Sequence, residues 1–135
     1  DISATIGIEQ MKYVDGLVEK NRANAKYFDQ HLKGLKGVET IEFGDDRESA
    51  YWLYMIHVDR LHEEFMPFMK ERNIMVSQVH ARNDTHSAFA EFKNDSLPNI
   101  ETFTKTMCAI PVGWWVAEDE RAHIVSAIQE FSQRF

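Results

Sequence analysis

The sequence predicts an α+β fold: a two-layer sandwich with one small sheet covered by helices, preceded by a long N-terminal helical segment. Three observations support this. Apolar residues recur at three- and four-residue steps from Met11 to Leu35, β-favouring runs follow at 38–43 and 51–58, and helical and strand patterns then alternate to the C-terminus. The chain is 135 residues long, and no linker, repeat or low-complexity tract divides it, so residues 1–135 are read as one domain.

Met11, Val14, Val18, Ala25, Phe28, Leu32 and Leu35 form the apolar stripe of an amphipathic helix. Gly7 and Gly16 interrupt the helical segment that runs from Ile2 to Leu35, and an interior glycine costs about 1 kcal/mol relative to alanine. The expectation is a short helix near 3–12 and a longer one from about 15 to 33, stopped by Gly34 and Gly37. Ala4, Ile6 and Ile8 enter the first helix with no preceding segment to cover them, which points to a cut from a longer polypeptide.

Residues 38–43 alternate apolar and charged side chains as a short strand does, and 51–58 carries the strongest strand signal. His57 on that strand reads as a packed or edge histidine. A helix is expected at 63–72, with Phe65, Phe68 and Met69 on one face, provided that Pro67 falls in its first turn. Residues 74–79 form the next predicted strand. The length of the connection suits a right-handed crossover between parallel neighbours, with an antiparallel arrangement as the alternative. Pro98 introduces a short helix carrying Ile100, Phe103 and Met107, residues 108–112 add a last strand, and 113–115 make a turn with exposed tryptophans. The closing helix, 118–131, has acids in its first turn and a stripe of Ile124, Val125, Ile128 and Phe131.

Composition narrows the function. A net charge of -7 and a pI near 5.3 leave no basic footprint for nucleic acid. No apolar run is long enough for a bilayer and no basic-then-apolar leader is present, so a soluble, cytoplasmic protein with no membrane partner is expected. The single cysteine, Cys108, excludes an internal disulfide framework and leaves too little sulfur for a structural zinc site. Inside the apolar run 107–112 it reads as core packing, with a nucleophilic thiol as the alternative.

The densest polar cluster is the loop 79–89, where His80, Arg82, Asn83, Asp84 and His86 fall within seven residues. Polar loops carried on rigid elements are common binding sites. His80, His86 and Asp84 could supply imidazole and carboxylate to a cation, but their spacing matches no zinc pattern and no metal is expected. No Gly-x-Ser-x-Gly elbow, Gly-x-Gly-x-x-Gly loop or phosphate-cradling Gly-Lys-Ser/Thr run occurs. Anion recognition fits better: Arg82 offers a planar fork, His80 and His86 can donate to the same oxygens, and Asn83 and Asp84 can orient them. A solvated loop with an Asx turn at Asn83-Asp84 is the plainer reading of the same residues.

The opening Asp1-Ile2-Ser3-Ala4-Thr5-Ile6-Gly7-Ile8-Glu9-Gln10-Met11 resembles the Asp-Ile-x-Ala-Ala-x-Gly-x-x-Gln-Leu run of the pyridoxal-phosphate-dependent sugar-nucleotide aminotransferases, the DegT/DnrJ/StrS group. Glu19 to Ala25 resembles that group's Arg-rich helix, Glu71-Arg72-Asn73-Ile74 its Glu-Arg-Gly-Ile, and Ala109-Ile110-Pro111-Val112 its Leu-Pro segment. The likeness covers essentially the whole chain and is most specific at the Gly-x-x-Gln opening. It implies the C-terminal small domain of such an enzyme, a fold-type I aminotransferase.

In the family, the Schiff-base lysine, the aspartate facing the pyridine nitrogen and the phosphate cup lie in a large domain that this chain lacks. None of the eight lysines here resembles a substitute. The chain alone is therefore expected neither to hold pyridoxal phosphate nor to transaminate. The family's Tyr-x-x-Leu-His loop reaches the substrate, and its histidine could correspond to His80, to His86 or to neither. The resemblance thus makes His80, Arg82, Asn83 and His86 substrate-facing, with Asp84 as their orienter. Where the family has glycine, Asn73 tolerates the left-handed helix-cap conformation. For the complete enzyme the resemblance implies a nucleotide-linked keto-sugar, an amino-acid donor such as glutamate, and a homodimer. The rival reading is a free-standing α+β module that binds a small anion or regulates.

Overall fold

The structure, a computed structural model, describes residues 1–92 and 96–135. α1 (Ile2–Met11) begins at Asp1, whose carboxylate accepts the Ser3 N–H at 3.1 Å. α2 (Val14–Leu32) follows, and the break between the two falls at Lys12-Tyr13. It is not at the glycines: Gly7 lies inside α1 and Gly16 in the first turn of α2, because a cost of about 1 kcal/mol is too small to end a helix by itself. α2 buries Asn24, Ala25, Phe28 and Leu32 at helical spacing. It stops at Gly34, φ 81°, where glycine takes the left-handed conformation without a Cβ penalty.

The sheet has three strands in the order β1 (Val38–Thr40), β2 (Tyr54–Val58), β3 (Met107–Ile110), and both pairings are antiparallel. Val38 faces Val58, Ile56 faces Cys108 and Tyr54 faces Ile110. The parallel crossover is thus not used. Residues 74–79, expected as a strand, contribute one antiparallel bridge, in which Ser77 and Ala109 exchange N–H···O bonds of 3.2 and 2.8 Å. The segment keeps a strand's alternation, with Ile74 buried and Met75 exposed. Beyond Ser77, however, the Gln78 amide donates to the Thr104 carbonyl of α4 (Pro98–Thr106), which draws the chain off the ladder.

Tyr54, Ile56, Val58, Cys108 and Ile110 face a core shared with Phe28, Leu32, Phe65, Met69, Ile128 and Phe131 from the helices. A π-helical turn (Leu61–Phe65) leads into α3 (Met66–Glu71), with Pro67 in its first turn, where its missing N–H had no intrahelical partner to lose. α3 ends at Asn73, φ 57°, and the Ile74 N–H returns to the Met69 carbonyl at 3.0 Å, a Schellman closure. α5 (Glu118–Ser132) completes the helical layer, its acidic first turn matching the positive end of the helix dipole. The other side of β2 meets α4: His57 is a packed histidine, its Nδ1 2.8 Å from Thr106 Oγ1 and its ring 5.3 Å from Phe103. The helices and small antiparallel sheet make the expected α+β sandwich. Among the described residues no helix is long and apolar enough to cross a membrane.

Cys108 is fully buried, and burial pushes its thiol up to about 12. A thiolate is needed for nucleophilic attack, so the side chain is packing and not reactive. A thiol-labelling disulfide reagent at about pH 8 should leave Cys108 unmodified in the native protein and modify it fully after unfolding. Rapid native-state labelling would contradict the burial.

Candidate functional site

The loop following the 74–79 edge segment is built from two short 3-10 turns, Asn83–Thr85 and Ser87–Phe92. The Thr85 hydroxyl donates to the Arg82 carbonyl at 2.8 Å, and the His86 N–H donates to the Asn83 carbonyl at 3.1 Å, so the loop is tied internally. Arg82 and Asp84 form a two-pronged pair, with Nε to Oδ1 at 2.9 Å and Nη2 to Oδ2 at 2.5 Å. That bond raises the guanidinium pKa. Its consequence is electrostatic: the arginine is oriented, and its charge is balanced by its own neighbour.

His80, Arg82, Asn83 and Asp84 line one cleft of about 380 Å3, whose other wall is Leu97, Ile100, Phe103 and Thr104 of α4 and its approach. Four of the five residues singled out in the sequence are therefore brought together. His86 is exposed and lies outside this lining. Among the described residues no group of three or more His, Cys, Asp or Glu side chains could hold a metal.

His80 has a neighbour that sequence reasoning missed. The Trp52 ring lies 6.4 Å from it at an interplanar angle of 62°. Residues 51–58 look like one strand in the sequence, but the strand starts only at Tyr54, and Tyr51 has φ 48°. A bulky residue in that region is a backbone outlier. Nothing in the residue types 49–53 signals it.

α2 holds both loops that flank the sheet at this end of β2. Asn21 Nδ2 donates to the Ala50 and Tyr51 carbonyls at 3.1 and 3.3 Å, and Arg22 Nε donates to the Ser49 carbonyl at 2.9 Å. Three residues on, Asn24 Nδ2 reaches the Val112, Gly113 and Val116 carbonyls, each at 3.2 Å. The segment 19–25 that stands out in the sequence is thus a row of polar pins. Tyr54 is fixed to the same helix through Asp29, at 2.6 Å, and burial with that bond pushes its hydroxyl pKa well above the usual range.

The fit of a Schiff-base cofactor can be tested on the lysines. Lys12, Lys20, Lys26, Lys33, Lys36, Lys70 and Lys105 are all exposed, and Lys93 lies outside the described residues. Lys12 and Lys33 are paired with Glu9 and Glu42, which raises the Lys33 pKa. A lysine that forms a Schiff base requires a desolvated or electropositive pocket to lower its pKa, so the described lysines do not fit that role.

The sequence profile of the DegT/DnrJ/EryC1/StrS aminotransferase family matches residues 1–129. The fold superposes on the sugar aminotransferase CalS13 from Micromonospora echinospora with a TM-score of 0.87 and 38% identity, covering 93% of this chain and 33% of that one. For AtS13 from Actinomadura melliaura the TM-score is 0.89 and the identity 35%, with 94% of this chain and 34% of that one covered. The PMP form of the putative sugar aminotransferase Spr1654 from Streptococcus pneumoniae shares the fold, at a TM-score of 0.86 and 17% identity over 99% of this chain and 35% of that one. The chain therefore spans about a third of the length of each structure it resembles.

Proposed function

The chain belongs to the DegT/DnrJ/EryC1/StrS aminotransferase family, and we propose that it is the single C-terminal small domain, residues 1–135, of a pyridoxal-phosphate-dependent enzyme that aminates a nucleotide-linked keto-sugar. The amino group comes from an amino acid such as glutamate, in the cytoplasm, and the working enzyme is a homodimer. Pyridoxal phosphate, when bound to the complete enzyme, supplies the electron sink for moving the amino group. Since the described lysines do not fit its attachment, this chain's part is to bind and orient the substrate, and alone it is inactive.

The observation that supports this reading most directly is the placement of His80, Arg82, Asn83 and Asp84 along one cleft. His80 and Asn83 offer donors and acceptors suited to sugar hydroxyls or phosphate oxygens. Arg82, held by Asp84, presents its remaining donors in a fixed plane. His86, outside the cleft, stands as a second substrate-facing candidate from the loop's outer end. The match of residues 1–129 to the family profile supports this reading over a free-standing module that binds a small anion.

The decisive assay supplies the complete enzyme that contains this chain with pyridoxal phosphate, glutamate and a panel of keto-sugar nucleotides. The expected products are 2-oxoglutarate and an amino-sugar nucleotide, and failure on every keto-sugar nucleotide would overturn the proposal. His80→Ala should raise KM for the sugar nucleotide by about ten-fold, the loss of one hydrogen bond of roughly 1.4 kcal/mol. KM for glutamate should stay within about two-fold, since a lost hydrogen bond acts only on the ligand that makes it.

A further inference from the structure

We propose that Trp52 is a ring-binding platform of the substrate site, presented by a strained turn at Tyr51 that helix α2 clamps in place. The inference rests on the reading of the 80–86 loop as the substrate-side wall and adds a residue to it. Trp52 is 75% exposed, although it stands two residues before the strand that carries Tyr54, Ile56 and Val58 into the core. Its ring abuts His80 at the head of that loop.

The exposure is built by the backbone. At φ 48° Tyr51 adopts a left-handed conformation that bulky side chains seldom take, and such strain persists only where surrounding structure over-determines it. Here it does. The Tyr51 N–H donates to Ser49 Oγ at 3.0 Å, Asn21 holds the Ala50 and Tyr51 carbonyls, and Arg22 holds the Ser49 carbonyl. The Tyr51 ring is fixed as well, stacked on Tyr54 at 6.1 Å and met edge-on by Phe43 at 6.1 Å. The turn therefore packs one aromatic inward and leaves the next one outward, beside the polar wall.

An exposed indole next to hydrogen-bonding side chains suits a ligand that has both a ring face and polar substituents. A keto-sugar nucleotide has three rings, the base, the pentose and the hexose, and each offers a flat or C–H-bearing face to the indole. His80 meets the indole edge-on, at an interplanar angle of 62°.

The test compares wild type, Trp52→Ala and Trp52→Phe in the complete, cofactor-loaded enzyme that contains this chain. Trp52→Ala should raise KM for the keto-sugar nucleotide by roughly ten-fold, within the range found when an aromatic stacking partner is removed. Trp52→Phe should stay within about three-fold of wild type, because a smaller ring face remains. KM for glutamate should not move in either. Asn21→Ala, which keeps the indole but removes the bonds that hold its turn in position, should raise the same KM and spare that for glutamate, an effect a merely structural role would not restrict to one substrate.

Binding of UDP and of dTDP identifies the ring. If Trp52→Ala weakens the binding of either nucleoside diphosphate, the nucleoside lies on the indole; if it weakens only the full sugar nucleotide, the hexose does. An unchanged KM for the sugar nucleotide in Trp52→Ala, with wild type active, overturns the platform alone. A wild type that aminates no keto-sugar nucleotide overturns the reading beneath it, and the platform with it.

Discussion

Phe131→Ala is expected to destabilise the protein by about 3–5 kcal/mol, in the range of other buried phenylalanine truncations. Phe131 is fully buried in α5 and sits at the centre of an aromatic cluster. Phe65, Phe68 and Phe135 approach its ring with centroids at 5.0, 5.4 and 5.6 Å, the first and last edge-on. These three partners come from the π turn, α3 and the C-terminus, so no single backbone movement can close the space that alanine would leave. Collapse is further opposed by cations laid on the outer rings: Arg72 is 3.5 Å and Arg134 4.2 Å from the Phe68 centroid, and Arg60 is 4.0 Å from that of Phe135. Urea unfolding monitored by circular dichroism measures the loss. Phe131→Leu should recover about half of it, since an aliphatic side chain refills volume without the edge-to-face geometry. A loss below about 1 kcal/mol for the alanine variant would mean that the cluster repacks and that the cavity argument fails.

Much of this architecture was legible in the residue pattern because the helices announce themselves by a buried stripe. Phe28 and Leu32 in α2, and Ile124, Val125, Ile128 and Phe131 in α5, are apolar at helical spacing and are buried. Pro67, Pro98 and Asn73 also carried readable information, since each can occupy only a few backbone positions in or beside a helix. The edge of the sheet was less legible. Residues 74–79 have a strand's composition and alternation, yet whether they extend a ladder depends on what they meet, and the Gln78 bond to Thr104 is a tertiary event. The direction of pairing was likewise open until the partners were known.

The polar loop was visible from composition, and its family likeness from the Gly-x-x-Gln opening. The bonding within it was not. That Arg82 would be taken up by Asp84 depends on a short turn placing two side chains face to face. Trp52 stayed hidden because its signal is a backbone angle at Tyr51 that residue type disfavours.

Asn24→Ala should cost about 3 kcal/mol, the second-largest loss expected of a single change, and it should act at a distance from α2. Asn24 is only 3% exposed, and its amide nitrogen lies 3.2 Å from each of the Val112, Gly113 and Val116 carbonyls. Its oxygen accepts from Arg121 Nη1, also at 3.2 Å. Alanine would strand several buried polar groups at once, each worth about 1–3 kcal/mol when left unsatisfied. Arg121 would lose its tie to α2 as well; its guanidinium already lies over the Tyr27 ring, with a buried Nε that has no hydrogen-bond partner among the described residues. Asn24→Asp separates the two halves of the bond set, because it keeps size and the acceptor for Arg121 and removes both N–H donors. If the pin works through its donors, the aspartate variant is destabilised to a similar degree at neutral pH, ion pair notwithstanding, and near-wild-type stability there would refute the argument. A local readout exists too. The pinned carbonyls bracket Trp114 and Trp115, which are 48% and 64% exposed, and the Trp115 ring lies within 2.5 Å of where a Cβ on Gly113 would stand. Releasing the turn should therefore shift tryptophan fluorescence in native Asn24→Ala to longer wavelength, before global unfolding, as the rings gain exposure to water.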